Sequence, residues 1–317
     1  MRSAPSVALV GAALGLAAVI AQAAPDAEQL LRASEQAERN HSYRGMRLTR
    51  MRFQEQTVNA LANVLHRKPA TTRTEYVLPP TMHGTVILQI GRERWRASSR
   101  HKRWQRVQQA AEGGNLDLLL RNYALRTTGS ELVANRPCVL LLITPKHEGN
   151  PSKRMWVDRA TGLVLRSELL NWKQQIVGGS TFRDLEIDPD LSAQSRLLDP
   201  PPLQHAPPAR GGLTFTPAHP RYVPPGHVFA STETVPLGKH LAAHLRYTDG
   251  LNTISLFQAP ARAFADQQPF AAAEYGFTQV ITWRRGDVAY ALMGDIDPLE
   301  LRKMGNSLGP AAPVRSR

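Results

Sequence analysis

Arg154-Met-Trp-Val-Asp-Arg-Ala-Thr-Gly-Leu-Val-Leu-Arg-Ser-Glu168 reads as a β-hairpin. Met155-Trp-Val157 and Leu163-Val-Leu165 are short apolar runs, and the link between them, Asp158 to Gly162, ends in Thr161-Gly162, where glycine is free to take the positive φ of a tight turn. Just upstream, Cys138-Val-Leu-Leu-Leu-Ile143 is too short for a helix and apolar enough for a buried strand, and downstream Thr181 to Ile187 completes a meander. From Tyr43 to Ile90 the text breaks into alternating pieces (Met46/Leu48, Thr72/Thr74/Tyr76, Val86/Leu88/Ile90) divided by Lys68-Pro69, Pro79-Pro80 and Gly91. Two stretches keep helical spacing instead: Asp26 to Asn40, through Leu30, Leu31, Ser34 and Ala37, and Asn115 to Tyr123, through Leu116, Leu119 and Leu120. The pattern is an antiparallel sheet accompanied by two helices.

Composition then changes. Asp199 to Gly212 holds five prolines and a glycine pair with almost nothing to bury, which marks a linker. Beyond it, Leu241 to Tyr247 and Leu251 to Phe257 bracket Asp249-Gly250, a strong hairpin signal. Gln279 to Trp283 and Val288 to Leu292 form a second hairpin around Arg285-Gly286-Asp287. Asp297 as N-cap and Pro298 at the first helical position open a terminal helix through Leu301, Met304 and Leu308.

The chain has 317 residues, with 39 Lys and Arg against 26 Asp and Glu for a net charge of +13, and 42% of it is hydrophobic. That suits a globular protein of two modest domains. One cysteine, Cys138, excludes an intramolecular disulfide framework, a Cys-rich zinc site and a CxxC redox centre. Arg2, the apolar stretch Val7 to Ile20 and Ala21-Gln22-Ala23 read as a signal peptide with its cleavage site, so the mature chain is expected in the periplasm.

Catalytic motifs are missing: there is no GxSxG elbow, phosphate-binding loop, GxGxxG opening a helix or HExxH. An enzyme is not expected, nor a cofactor. His240 and His244 are four apart, but in a strand that is about 13 Å, too far to share a metal ion. Asp184/Glu186/Asp188/Asp190 and Asp295/Asp297 read as strand-end and helix-cap residues. The densest charge is Arg92, Arg94, Arg96, Arg100, Lys102, Arg103 and Arg106 around Trp95 and Trp104. Export argues against nucleic acid as its partner. The basic side chains read as a wet cationic face over a packed Trp95, suited to lipid headgroups, lipopolysaccharide phosphates or an acidic protein segment. If the sheet curls over its helices it can enclose a hollow for acyl chains, with Trp95, Trp104, Trp156, Trp172 and Phe182 as candidate liners.

Glu131-Leu-Val-Ala-Asn-Arg-Pro-Cys-Val-Leu-Leu-Leu-Ile-Thr-Pro-Lys146 together with Arg154 to Glu168 resembles the RseB/MucB family of sigma-E regulatory proteins, with Asn135 where that family usually has glycine. His244-Leu-Arg-Tyr-Thr-Asp-Gly-Leu-Asn-Thr-Ile-Ser-Leu-Phe257 is similar to its DGL hairpin, Val223-Pro-Pro-Gly226 to the segment before it, and Ser42-Tyr-Arg-Gly45 to its N-terminal motif. The WvD-TGL hairpin also occurs in LolA/LolB-type carriers, so the resemblance implies an α+β chain. Its first part would be a LolA-like half-open antiparallel β-barrel with capping helices, over residues 24–197. A Pro-rich linker (198–212), a small C-terminal domain of antiparallel hairpins and one helix (213–309) and a tail (310–317) would follow the signal peptide (1–23) and that barrel. It further implies a negative regulator that binds the periplasmic part of a membrane anti-sigma factor and is relieved by lipid or lipopolysaccharide. In that reading Tyr247, Asp249, Gly250 and Leu251 form the hairpin of the partner-binding domain. The alternative is a periplasmic carrier of lipoproteins or lipids. Homo-oligomerisation stays open.

Overall fold

The computed structural model describes residues 26–53, 56–98, 103–107, 115–201, 212–237, 240–265, 279–309 and 312–313. The signal-peptide reading, Arg100, Lys102 and most of the Pro-rich segment lie outside them.

Helix α1 (Ala27–Asn40) leads into β1 (Tyr43–Phe53), β2 (Gln56–Arg67), β3 (Thr71–Leu78), β4 (Val86–Ile90), β5 (Glu93–Ala97) and β6 (Trp104–Arg106). Helix α2 (Leu116–Asn122) precedes β7 (Tyr123–Val133), β8 (Arg136–Pro145), β9 (Ser152–Asp158), β10 (Val164–Leu170) and β11 (Ile176–Ile187). All eleven strands form one antiparallel sheet in the order β6-β5-β4-β3-β2-β1-β11-β10-β9-β8-β7. In a flat sheet β11 and β7, four positions apart, would be separated by about 19 Å. Here their Cα atoms come within 8 Å of each other, so this part of the sheet is curled. Because β6 and β7 are both unpaired edges, the barrel is half open. Helix α1 fills the curl. Leu30 and Leu31 pack with Leu141, Ile143, Met155 and Val157, and Ala37 packs with Tyr43, Val64, Leu165 and Phe182. Each such fully buried aliphatic or aromatic side chain contributes about 1.5–3 kcal/mol.

The hairpin read first is pinned by Asp158, 1% exposed. Its carboxylate accepts two bonds from the Arg136 guanidinium (3.0 and 2.9 Å) and two from Thr161, backbone N–H at 3.0 Å and hydroxyl at 2.7 Å. Gly162 takes φ +76°, a conformation that favours glycine, and the turn lies against Ala33 and Ala37 of α1. Asn135 adopts φ +59° in the β7–β8 turn, a conformation asparagine tolerates in place of glycine.

After a 3-10 helix, Ser192–Leu198, the C-terminal half comprises β12 (Phe215–Thr216), β13 (Val228–Leu237), β14 (His240–Thr248), β15 (Thr253–Pro260), α3 (Ala261–Ala265), β16 (Gln279–Arg285), β17 (Val288–Gly294), α4 (Pro298–Asn306) and β18 (Ala312–Pro313). Its five-stranded sheet runs β13-β14-β15-β17-β16. One face packs Leu245, Ile254, Tyr290 and Leu292 against Leu301 and Met304 of α4, and the other carries Val235, Phe257 and Met293 with Ala263 of α3.

Four readings change. The sequence pattern shows neither β7 nor β13, because each is a sheet edge whose exposed flank needs no apolar alternation. Helix α3 joins the single helix expected in this half. Leu198, read as the start of the linker, is fully buried because the 3-10 helix folds back onto β3. The terminal helix stops at Asn306, and Ala312–Pro313, read as tail, pairs with Phe215–Thr216.

Burial pushes the Asp158 carboxyl up in pKa, but the Arg136 and Thr161 hydrogen bonds outweigh it and hold the group below the usual range. Its contribution is therefore present above an unfolded pKa of about 4 and lost as pH falls through the folded value. We expect Asp158→Ala to cost about 3 kcal/mol or more, through the unpaired Arg136 and the unmade turn bonds. Melting curves taken from neutral to acid pH should fall less steeply for Asp158→Asn than for the native chain. Equal slopes would show that this carboxylate does not set the acid limb.

Candidate functional site

The two halves meet at a buried polar seam centred on Asp249, 0% exposed, in the β14–β15 turn. Locally the residue makes its own turn: Oδ1 accepts the backbone N–H groups of Leu251 (2.9 Å) and Asn252 (2.7 Å). Its other oxygen, Oδ2, belongs to the opposite half, accepting the Tyr123 hydroxyl at 2.6 Å and the Asn150 amide at 3.2 Å. The carboxylate thus receives four donors, two from each half.

The neighbouring backbone is held in the same way. Asn122, the last residue of α2, donates both amide protons across the seam, to the Gly226 carbonyl (2.8 Å) and the Asp249 carbonyl (2.9 Å). Asn150 also reaches the Pro225 carbonyl at 3.2 Å, and the Gly149 carbonyl accepts the Asp297 N–H at 2.9 Å, tying the β8–β9 loop to the start of α4. Gly250 has φ +98°, and a Cβ on it would lie 2.3 Å from the Leu119 backbone nitrogen. Only glycine can bring this turn so near the first turn of α2. Leu251 then packs into the N-terminal core beside Leu30, Leu119 and Tyr123.

His227 completes the cluster, its side chain fully buried and its Nε2 3.8 Å from Asp249 Oδ2. Burial pushes its pKa below the ordinary histidine value, with Asp249 pulling the other way. Burial above all, reinforced by the Asp249 charge, holds the Tyr123 phenol far above the tyrosine range, so it stays a donor.

Of the expected site residues, Asp249, Gly250 and Leu251 come together here, turned toward the N-terminal half. Tyr247 is buried within its own half, its hydroxyl 3.0 Å from His219 Nδ1. The aromatic residues proposed as liners are not gathered. Trp156 and Phe182 share the core around α1, Trp95 is buried on β5, Trp104 is half-buried on β6 and Trp172 half-buried in the β10–β11 turn. A cavity of about 540 Å³ opens on the face of the sheet away from α1, lined by Arg44, Met46, Asn63, Leu65, Arg73 and Glu186, and none of the five touches it. Arg94, Arg96 and Arg106 lie along β5 and β6, with Arg92 in the turn before β5 and Arg103 just before β6, and Arg106 pairs with Glu93 at 2.9 Å. His240 and His244 both stand on β14. His244 stacks on Phe257, sits 3.0 Å from Ser255 Oγ and is lowered by burial to a pKa of about 4. Asp184 and Asp188 accept the backbone N–H groups of Met46 and Ser42, and Asp297 caps α4. Among the described residues no three His, Cys, Asp or Glu side chains converge to hold a metal.

Asn122, Tyr123, Asn150 and His227 escape sequence reasoning. Asn122, Tyr123 and Asn150 are isolated polar residues whose partners are about a hundred positions away, His227 faces Asp249 from another loop of its own half, and the local signal present was Asp249-Gly250 with Val223-Pro-Pro-Gly226.

A family model described as the MucB/RseB N-terminal domain matches residues 26–200. The sigma factor AlgU regulatory protein MucB of Pseudomonas aeruginosa is 33% identical over 141 residues, 44% of this chain and 44% of that protein, so the match spans less than half of the relative. Among solved structures, MucB in complex with MucA(peri) is 22% identical with a TM-score of 0.65, covering 90% of this chain and 100% of that one. The MucA/MucB complex of Pseudomonas aeruginosa is 20% identical with a TM-score of 0.66, covering 90% and 99%. At these identities the likeness is one of fold, and it runs through both halves.

Tyr123→Phe, which removes one of four donors to a buried carboxylate, should cost about 1–3 kcal/mol, and Asp249→Ala about 3 kcal/mol or more. Gly250→Val should separate the halves, read as faster proteolysis between them. A native melting curve for Gly250→Val would contradict the seam. Because the closed seam holds His227 with a lowered pKa, its stability is complete above about pH 6.5 and declines as pH falls below that. His227→Gln should remove that part of the pH dependence.

Proposed function

The chain belongs to the MucB/RseB family, and from that membership we propose that it is a periplasmic regulator that works by binding: it holds the periplasmic part of a membrane anti-sigma factor and loosens its hold when an anionic lipid or lipopolysaccharide occupies the N-terminal half. The observation that carries the reading is the seam. Asp249 joins the halves in one arrangement, so a partner that touches both reads a composite surface. A lipid can then weaken partner binding only by favouring a different arrangement, which makes the two ligands compete.

Lys153 supports the lipid arm. It stands on β9 opposite Ile143 and Leu169, on the face that carries Met155 and Val157 beneath α1. Burial lowers its pKa, and no carboxylate offsets that. An ammonium in such a place is matched by an anionic headgroup.

Isothermal titration of the mature chain with the periplasmic segment of the anti-sigma factor from its own genome should give a one-to-one complex that anionic lipid dissociates. No complex with either the native chain or its separated-seam variant Gly250→Val would retire the regulator reading. Lys153→Met should weaken anionic-lipid binding while raising Tm at neutral pH, because the charged form destabilises the fold below the ordinary lysine pKa. A lowered Tm with unchanged lipid affinity would assign Lys153 to packing alone.

A further inference from the structure

Ser42-Tyr-Arg-Gly45 takes no part in the seam, and the structure sets it beside a cavity. On the sheet face away from α1, Glu186, Arg44, Leu65 and Arg73 lie directly opposite one another across β11, β1, β2 and β3. Asp184, Met46 and Asn63 form the next row, two residues along on the same face. The cavity of about 540 Å³ opens over these two rows, within the size range of pockets that hold small molecules. Leu197 of the 3-10 helix stands at its edge, half exposed, while Leu198 anchors that helix onto β3.

The chemistry of the lining changes from strand to strand. Two carboxylates stand on β11, apolar Met46, Leu65 and Leu197 lie between, and the Arg73 guanidinium stands on β3 with its side chain only 16% exposed. Each charged group gives one end to the fold: Asp184 Oδ1 accepts the Met46 N–H (2.9 Å), Glu186 Oε2 accepts Arg44 Nε (2.6 Å), and Arg73 Nη1 donates to Glu75 (2.6 Å). Among the described residues, Asp184 Oδ2, Glu186 Oε1 and the other Arg73 nitrogens have no hydrogen-bond partner. Gly45 fixes the spacing, because a Cβ on it would lie 2.3 Å from the Asp184 carbonyl oxygen. Just beyond it the β1–β11 register shifts between Met46 and Arg47, and a bulge of this kind re-aims the side chains beside it.

We propose that this cavity binds a short peptide with free ends, laid across the strands. Its carboxylate meets Arg73, its ammonium sits between Asp184 and Glu186, and an apolar side chain in the middle packs on Met46, Leu65 and Leu197. Length decides the class of ligand. β11 and β3 are three strand spacings apart, about 14 Å, which about four extended residues span. A free amino acid or phosphoethanolamine, whose two charges lie a few bonds apart, cannot reach both ends. The site is on the other side of the sheet from α1 and away from Asp249, so it rests on neither lipid nor anti-sigma binding. Because Leu197 touches the occupant, a bound peptide also holds the 3-10 helix from which the chain leaves for the C-terminal half.

The test is isothermal titration of the full mature chain with the tetrapeptides Ala-Leu-Leu-Ala, Ala-Tyr-Leu-Ala and Ala-Ala-Ala-Ala. At least one should bind, and its affinity should fall about tenfold or more when the peptide is N-acetylated or C-amidated, and equally in R73Q and in D184N/E186Q. Tm should hold, because ion pairs at a surface contribute little to stability. If R73Q melts early, R73K takes its place, since it keeps the charge but loses the fork that grips a carboxylate. Hydrogen exchange over Ser192–Leu198 should slow in the complex, and unchanged exchange would place the peptide elsewhere. Binding of none of the three peptides overturns the proposal, as does equal affinity for the blocked peptides, for leucine or for phosphoethanolamine. Affinity that R73Q and D184N/E186Q leave unchanged overturns it too.

Discussion

A carboxylate with no solvent contact must find its donors inside the protein, and Asp249 finds two in its own turn and two in the other half of the chain. Taking such a charge out of water is expensive unless every lone pair is met. The cost of separating the halves is therefore concentrated on a few hydrogen bonds, where an apolar interface would spread it over area. Apolar packing assists at one place, where Leu251 enters the N-terminal core, and Gly250 permits the approach that brings both about. Asn122 to the Gly226 carbonyl, Asn150 to the Pro225 carbonyl and the Asp297 N–H to the Gly149 carbonyl add further bonds between the halves around these three consecutive residues.

Below the seam, the N-terminal half has its own logic. An open sheet has two unpaired edges and one face that must be covered, and the structure meets both demands by curling the sheet around α1. The hairpin beside α1 needs a tight turn, which Gly162 permits through its positive φ, and a turn that cannot slip, which Asp158 secures through Arg136 and Thr161. The same curvature places Lys153 on the face that carries Met155 and Val157.

Hairpins were the most legible part of the chain. Thr161-Gly162, Asp249-Gly250 and Arg285-Gly286-Asp287 each mark a turn in which glycine takes positive φ in the structure. These turn preferences are local and survive whatever the rest of the chain does. Strands β7 and β13 were illegible for the converse reason: an edge strand buries one flank at most, so Thr127, Thr128 and Ser130, or Thr232 and Thr234, carry no alternation to detect. The seam was legible on one side only. Asp249-Gly250-Leu251 announced a turn, but nothing in that stretch names Tyr123 or Asn150 as what the turn would face.

By itself the sequence determined the strands and helices that have a buried stripe, the positions of the tight turns, the positive charge and the want of catalytic motifs, because each of these rests on composition or on neighbours within a few residues. Tertiary structure alone decided that β11 and β7 approach each other and that Asp249 is answered by residues about a hundred positions distant. Those are consequences of sheet order and curvature, and two strands that become neighbours in space leave no shared mark in the linear text.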